Sequence, residues 1–188
     1  MSLSVIDPNT ALIIVDLQKG IVDAPFIHPI GPVIANSRAL ADVFRRRNLP
    51  VVLVNVVAGA PGRTERSQQH ALPRPQDWTE LVPELNQQPR DIVVSKKTWG
   101  AFASTDLEHR LKALDVTQVV ITGVATATGV EATARQAYEQ GFNVTLAVDA
   151  MTDVRPEAHD YSINTVFPRL GETGTTQAII DLLETRVA

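Results

Sequence analysis

The sequence predicts an α/β fold in which a parallel sheet is covered by helices on both faces. Two observations carry this. Apolar runs of strand length alternate along the chain with segments of helical period. Those runs are apolar throughout rather than at every second residue, which requires burial on both faces, and intervening helices make such strands parallel.

The first strand is expected over residues 11–15, Ala-Leu-Ile-Ile-Val, closed by Asp16. A helix follows over 32–48, where Val33, Ala39, Leu40, Val43 and Phe44 recur near a 3.6-residue period. Pro32 suits its first turn, where the missing N–H is not needed. The run Arg45, Arg46, Arg47 closes it, and cations there complement the negative helix end. The second strand is expected over 51–57. Residues 58–77 are polar and rich in Gly, Pro, Arg and Gln, so they read as a long surface loop. A short helix over 78–85, a strand over 92–94 and a helix over 105–114 come next. The fourth strand covers 118–122 and ends at Gly123. A helix over 129–140 has Gly141 as its stop. A fifth strand over 143–148, a helix after Pro156, a weakly signalled sixth strand over 171–174 and a helix over 177–185 complete the chain.

The 188 residues, 44% hydrophobic and 20% charged, form one domain over 1–188, with no break in composition, repeat or low-complexity segment. A net charge of -4 lacks the basic face that a polyanion needs, which excludes nucleic acid and membrane surfaces as partners. The absence of cysteine removes disulfides, zinc–thiolate sites and thiol nucleophiles together. The first residues show no basic region followed by an apolar core, and no apolar run approaches the roughly 18–20 residues of a bilayer span. A cytoplasmic protein is therefore expected. No cofactor motif is present. His28, His70, His109 and His159 have no ligand-like spacing with acids, so no metal is expected.

In open parallel sheets the ligand crevice lies beyond the carboxyl ends of the strands. Strand one delivers Asp16 and Gln18 there, strand three Ser95, Lys96 and Lys97, and strand four the small-residue loop from Gly123 to Gly129. An acid, a lysine and a loop entering a helix suit an anion or developing negative charge. Each element alone is ordinary: the Asp as a loop residue, the Lys as a solvated charge, the loop as close packing. Their order along one chain is not.

Three blocks, ALIIVDLQKG, KKTWGAF followed by STDL, and VVITGVATATGVEATARQAYEQGFNVTLAVDAMTD, resemble the signature blocks of isochorismatase-like hydrolases over nearly the whole chain. The resemblance implies a three-layer α/β/α sandwich around a mainly parallel six-stranded sheet, and a homo-oligomer. It places the family's catalytic acid on Asp16 and its lysine on Lys96, three residues before Trp99. Lys97 should face the other way, since successive strand residues alternate. It also implies a non-proline cis bond at Val124–Ala125. Gln18, Trp99, Val124, Ala125, Thr128 and Gly129 are expected to line the substrate. Zinc-binding relatives use an Asp and paired histidines after strand two, where this chain offers His70 among Arg63, Glu65, Arg66 and Gln69.

One departure decides the expected chemistry. Most members place a nucleophilic cysteine where this chain has Gly129. Thr126 and Thr128 are nearby hydroxyls, but neither occupies the family's nucleophile position. True isochorismatases are also implied to carry glycine there, although the Tyr, Ala and His that precede theirs are absent from VATATGVEATARQA. Their reaction splits a vinyl ether and needs a proton donor and water, not a nucleophilic side chain. The expected function is thus hydrolysis of a small carboxylic acid, such as isochorismate, by acid catalysis through Asp16. Lys96 would bind a substrate carboxylate or hold Asp16. The alternatives are a non-catalytic ligand-binding homologue and an oligomeric scaffold. Trp78, Phe26 and Phe102 read equally as pocket walls or packing.

Overall fold

A computed structural model describes residues 3–65 and 75–185. Six strands, β1 (Thr10–Val15), β2 (Val51–Val56), β3 (Ile92–Lys96), β4 (Gln118–Val124), β5 (Asn143–Thr152) and β6 (Glu172–Gly174), form one sheet in the order β3-β2-β1-β4-β5-β6. Every pairing is parallel. The weakly signalled sixth strand is real, and pairs Thr145, Leu146 and Ala147 of β5.

Alternation along the strands divides the core. Ala11, Ile13 and Val15 of β1 point to one face, with Val119, Ile121, Ala134 and Phe142. Leu12 and Ile14 point to the other, with Val33, Leu40, Phe44, Ile179 and Leu183. The first layer includes α3 (Leu107–Ala113) and α4 (Glu131–Glu139), the second α2 (Ile30–Arg46) and α6 (Thr176–Glu184). A one-turn helix, α1 (Lys19–Val22), follows β1, and α5 (Pro156–Tyr161) follows β5.

Two expectations need correction. Residues 78–85 do not form a short helix: they make a turn, an antiparallel bridge between Leu81 and Gln18, and a single 3₁₀ turn at Pro83–Leu85. Pro83 has no N–H for an intrahelical bond, which stops a longer helix through the segment. The helix expected from Gly129 begins instead as a π turn, Thr126–Val130, which runs into α4. Strands β1 and β4 approach so closely at Gly123 that a Cβ there would lie 2.0 Å from the Val15 carbonyl oxygen. Its φ of +109° also favours glycine.

Candidate active site

At the carboxyl end of β1 the chain turns through Asp16 with φ of +54°, a left-handed conformation that Asp tolerates better than most residues. Its N–H remains in the sheet, donating to the Val54 carbonyl at 2.9 Å. Lys96, the last residue of β3, is buried, and its Nζ lies 2.8 Å from Asp16 Oδ2. The same ammonium donates to the Trp99 carbonyl. Lys97 is exposed, as strand alternation requires.

Asp16 is an incompletely satisfied carboxylate. Oδ1 is buried and has no hydrogen-bond partner among the described residues. Burial pushes its pKa up to about 6, against the opposing pull of the Lys96 charge and hydrogen bond. The acid is therefore protonated far more readily than an ordinary Asp despite a cation beside it.

Gly129 faces this carboxylate. A Cβ at position 129 would lie 3.1 Å from Asp16 Oδ2, 3.0 Å from Val15 Cγ1 and 3.0 Å from the Val124 carbonyl oxygen. The Val124–Ala125 peptide bond is cis. The Ala125 carbonyl then accepts from the N–H groups of Thr128 at 3.0 Å and Val130 at 3.2 Å, closing the turn.

Sequence comparison matches residues 10–178 to the isochorismatase domain. The chain belongs to the isochorismatase family. It is 38% identical to the isochorismatase family protein YwoC of Bacillus subtilis, over 92% of this chain and 93% of that one. The ureidoacrylate amidohydrolase RutB of Pseudomonas syringae is 33% identical, over 79% of this chain and 73% of its own length. The structure of an isochorismatase family protein from Burkholderia thailandensis superposes with a TM-score of 0.91 at 36% identity, over 98% of this chain and 100% of that chain.

In this isochorismatase family member the other expected residues fall into two groups. Trp99 is 68% exposed at the edge of the site, and Thr128 and Ala125 are half-buried. Val124 is fully buried, so it meets the site through its carbonyl. Gln18 is fully buried too, and its amide is taken up by backbone: Nε2 donates to the Val56 and Trp78 carbonyls at 3.2 and 3.0 Å, and Oε1 accepts from Val56 N–H at 2.8 Å. Its visible role is to pin the exit of β1 to β2 and to the Trp78 turn. Trp78 packs over Gly20, where a Cβ would lie 2.0 Å from the indole. Phe102 is buried and stacks on Phe142, while Phe26 is half-buried against the second core.

Thr126 is fully buried with its hydroxyl 2.9 Å from His159 Nδ1, so it is closed to a substrate. Burial, with a contribution from His28, keeps the His159 imidazole below its ordinary pKa. Arg63 is exposed, whereas Arg66, Gln69 and His70 lie outside the described residues. Among the described residues no group of three or more His, Asp or Glu side chains is placed to hold a metal, and no helix is long and apolar enough to cross a membrane.

Sequence reading missed Asp153. It is 2% exposed and anchors the π turn by accepting from Ala127 N–H at 2.8 Å through Oδ2. Its Oδ1 accepts from Val154 and Arg155 N–H at 2.8 and 3.2 Å. Nothing in the local sequence distinguishes it from any Asp after a strand.

Proposed function

We propose that this protein is a small-molecule hydrolase that cleaves a vinyl ether of a carboxylic acid, isochorismate being the first candidate, with Asp16 as general acid. The observation that carries the reading is a buried, half-unpartnered carboxyl group, raised to about pKa 6, facing a glycine instead of a nucleophile.

The chemistry follows from those groups. Asp16 gives its proton to the terminal alkene carbon of the substrate, and the adjacent carbon becomes an oxocarbenium ion. Water adds to that carbon and loses a proton, which restores the Asp16 carboxyl group. The hemiketal then collapses, breaking the carbon–oxygen bond to release a keto acid and an alcohol. For isochorismate the keto acid is pyruvate. Lys96 has three N–H donors. Asp16 and Trp99 take two of them among the described residues, and in this reading the third is given to the substrate carboxylate. The exposed indole of Trp99 supplies an apolar wall. RutB, by its name, hydrolyses an amide. That chemistry through a thiolate is closed to a chain without cysteine.

The test is turnover of isochorismate with a panel of vinyl ethers and amides, comparing wild type with Asp16→Ala. Pyruvate release lost in the mutant supports the reading. Well-folded wild type that binds these compounds and turns over none is instead a ligand-binding homologue.

A further inference from the structure

Lys96 is held at the site through the carbonyl of Trp99, and Trp99 opens an irregular turn with no ladder of its own. The N–H groups of Ala101 and Phe102, both buried, must therefore find partners elsewhere. They find them on α4. Ala101 N–H donates to Thr133 Oγ1 at 3.1 Å, and Phe102 and Ala103 N–H donate to Gln136 Oε1 at 3.0 and 3.3 Å. Gly100 is pressed onto the same amide, since a Cβ there would lie 2.3 Å from Gln136 Oε1.

Thr133 also reaches backwards. Its hydroxyl donates to the Gly129 carbonyl at 2.6 Å. A threonine bonding back to the carbonyl four residues earlier is common in helices. Accepting an N–H from a different loop through the same oxygen is not part of that habit. One fully buried hydroxyl thus ties the turn that bears Gly129 to the turn that holds Lys96.

We infer that Thr133 and Gln136 are positioning residues that fix the Lys96 ammonium against Asp16 and opposite Gly129. The inference rests on reading Asp16 and Lys96 as the reacting pair. Neither α4 side chain need touch substrate. Both act through the Trp99–Ala103 turn.

Asp16 itself is the probe. In protein labelled with carboxyl-¹³C aspartate, the Asp16 titration is followed by NMR in wild type, Thr133→Val, Thr133→Ser and Gln136→Met. Lys96 pulls the Asp16 pKa down, so releasing the ammonium raises the midpoint. The expected rise is roughly one pH unit in Thr133→Val and Gln136→Met. Thr133→Ser, which keeps the hydroxyl, should titrate as wild type does. If Thr133→Val does not fold, Gln136→Met carries the test. Folded Thr133→Val and Gln136→Met with lowered melting temperatures but an unmoved Asp16 midpoint would overturn the inference and leave both residues purely structural. The readout needs no substrate, so its failure is distinct from failure of the vinyl-ether reading.

Discussion

Among the described residues two ion pairs have both side chains buried, and they are built on opposite principles. Arg45 and Asp91 have side-chain exposures of 7% and 1%, and Lys96 and Asp16 of 1% and 9%. Burial alone therefore does not separate them. The Arg45 guanidinium grips Asp91 with two bonds, Nε–Oδ1 at 3.2 Å and Nη2–Oδ2 at 2.6 Å, and also donates to Asp42 and the Leu85 carbonyl. Asp91 Oδ2 accepts a further N–H from Gln88. Every charge is matched by geometry, which is what makes a buried pair tolerable in a structure. The Asp16–Lys96 pair makes one contact, leaves Oδ1 empty-handed and stands on a left-handed residue. A saturated pair holds α2 to the loop before β3. An unsaturated pair sits at the ends of β1 and β3, with its carboxyl pKa raised to about 6.

The contrast can be broken in order of expected effect. Asp16→Asn should lose roughly 10²–10⁴-fold in turnover of any substrate that the wild type cleaves, the usual share of a general acid. Asp91→Asn should leave the kcat of the folded fraction close to wild type. Loss of turnover in Asp91→Asn at full folding would erase the distinction between the pairs.

Asp91→Asn should instead destabilise the fold by about 3–5 kcal/mol in urea denaturation, because it strands a buried guanidinium. A cost below about 1 kcal/mol would mean that the pair contributes no more than a surface bridge.

The unsaturated pair should show itself in pH dependence. The folded pKa of Asp16 lies above its ordinary 3.8, at about 6, so the folded state binds this proton more tightly than the unfolded chain. Its contribution to stability is complete below about pH 4 and is lost as pH rises through 6, by about 3 kcal/mol in total. The stability of wild type relative to Asp16→Asn should fall across that window and level off above it. A flat difference would contradict a raised pKa. Turnover that requires protonated Asp16 should decline about tenfold per pH unit above 6.

The smallest structural effect is expected at Gly129→Ala. The new methyl meets three atoms at 3.0–3.1 Å, so those neighbours must give by a few tenths of an ångström, while alanine favours the helical turn. Stability should fall by about 1–2 kcal/mol, whereas the methyl intrudes on the face of Asp16 and should lower turnover. An unaltered kcat/KM would show that substrate does not approach from this side.

The legible parts of the molecule were those with a repeating signature. Apolar runs announced β1, β2 and β4, and the 3.6-residue period announced α2. Asp16, Lys96 and Gly129 were legible because the end of a parallel strand is a fixed address, and because resemblance to the family supplied their roles. The rest depends on pairings between distant residues, which leave no period. Gln18 meets Val56 and Trp78 across the fold, and Thr133 meets Ala101 across 32 positions. The π turn at Thr126–Val130 straddles what the sequence divides into a small-residue loop up to Gly129 and an ordinary helix from Gly129 on, because nothing local marks a wider turn. One tertiary anchor, Asp153 on Ala127 N–H, and one local back-bond, Thr133 to the Gly129 carbonyl, accompany the wider turn.

The most direct test of the account is the ¹³C-carboxyl titration of Asp16 in the resting wild-type protein. A midpoint near 6 is predicted, the state of a buried acid only partly relieved by its lysine. A midpoint at or below the ordinary 3.8 would show that Lys96 saturates the carboxylate as Arg45 saturates Asp91, and would leave the protein without its acid.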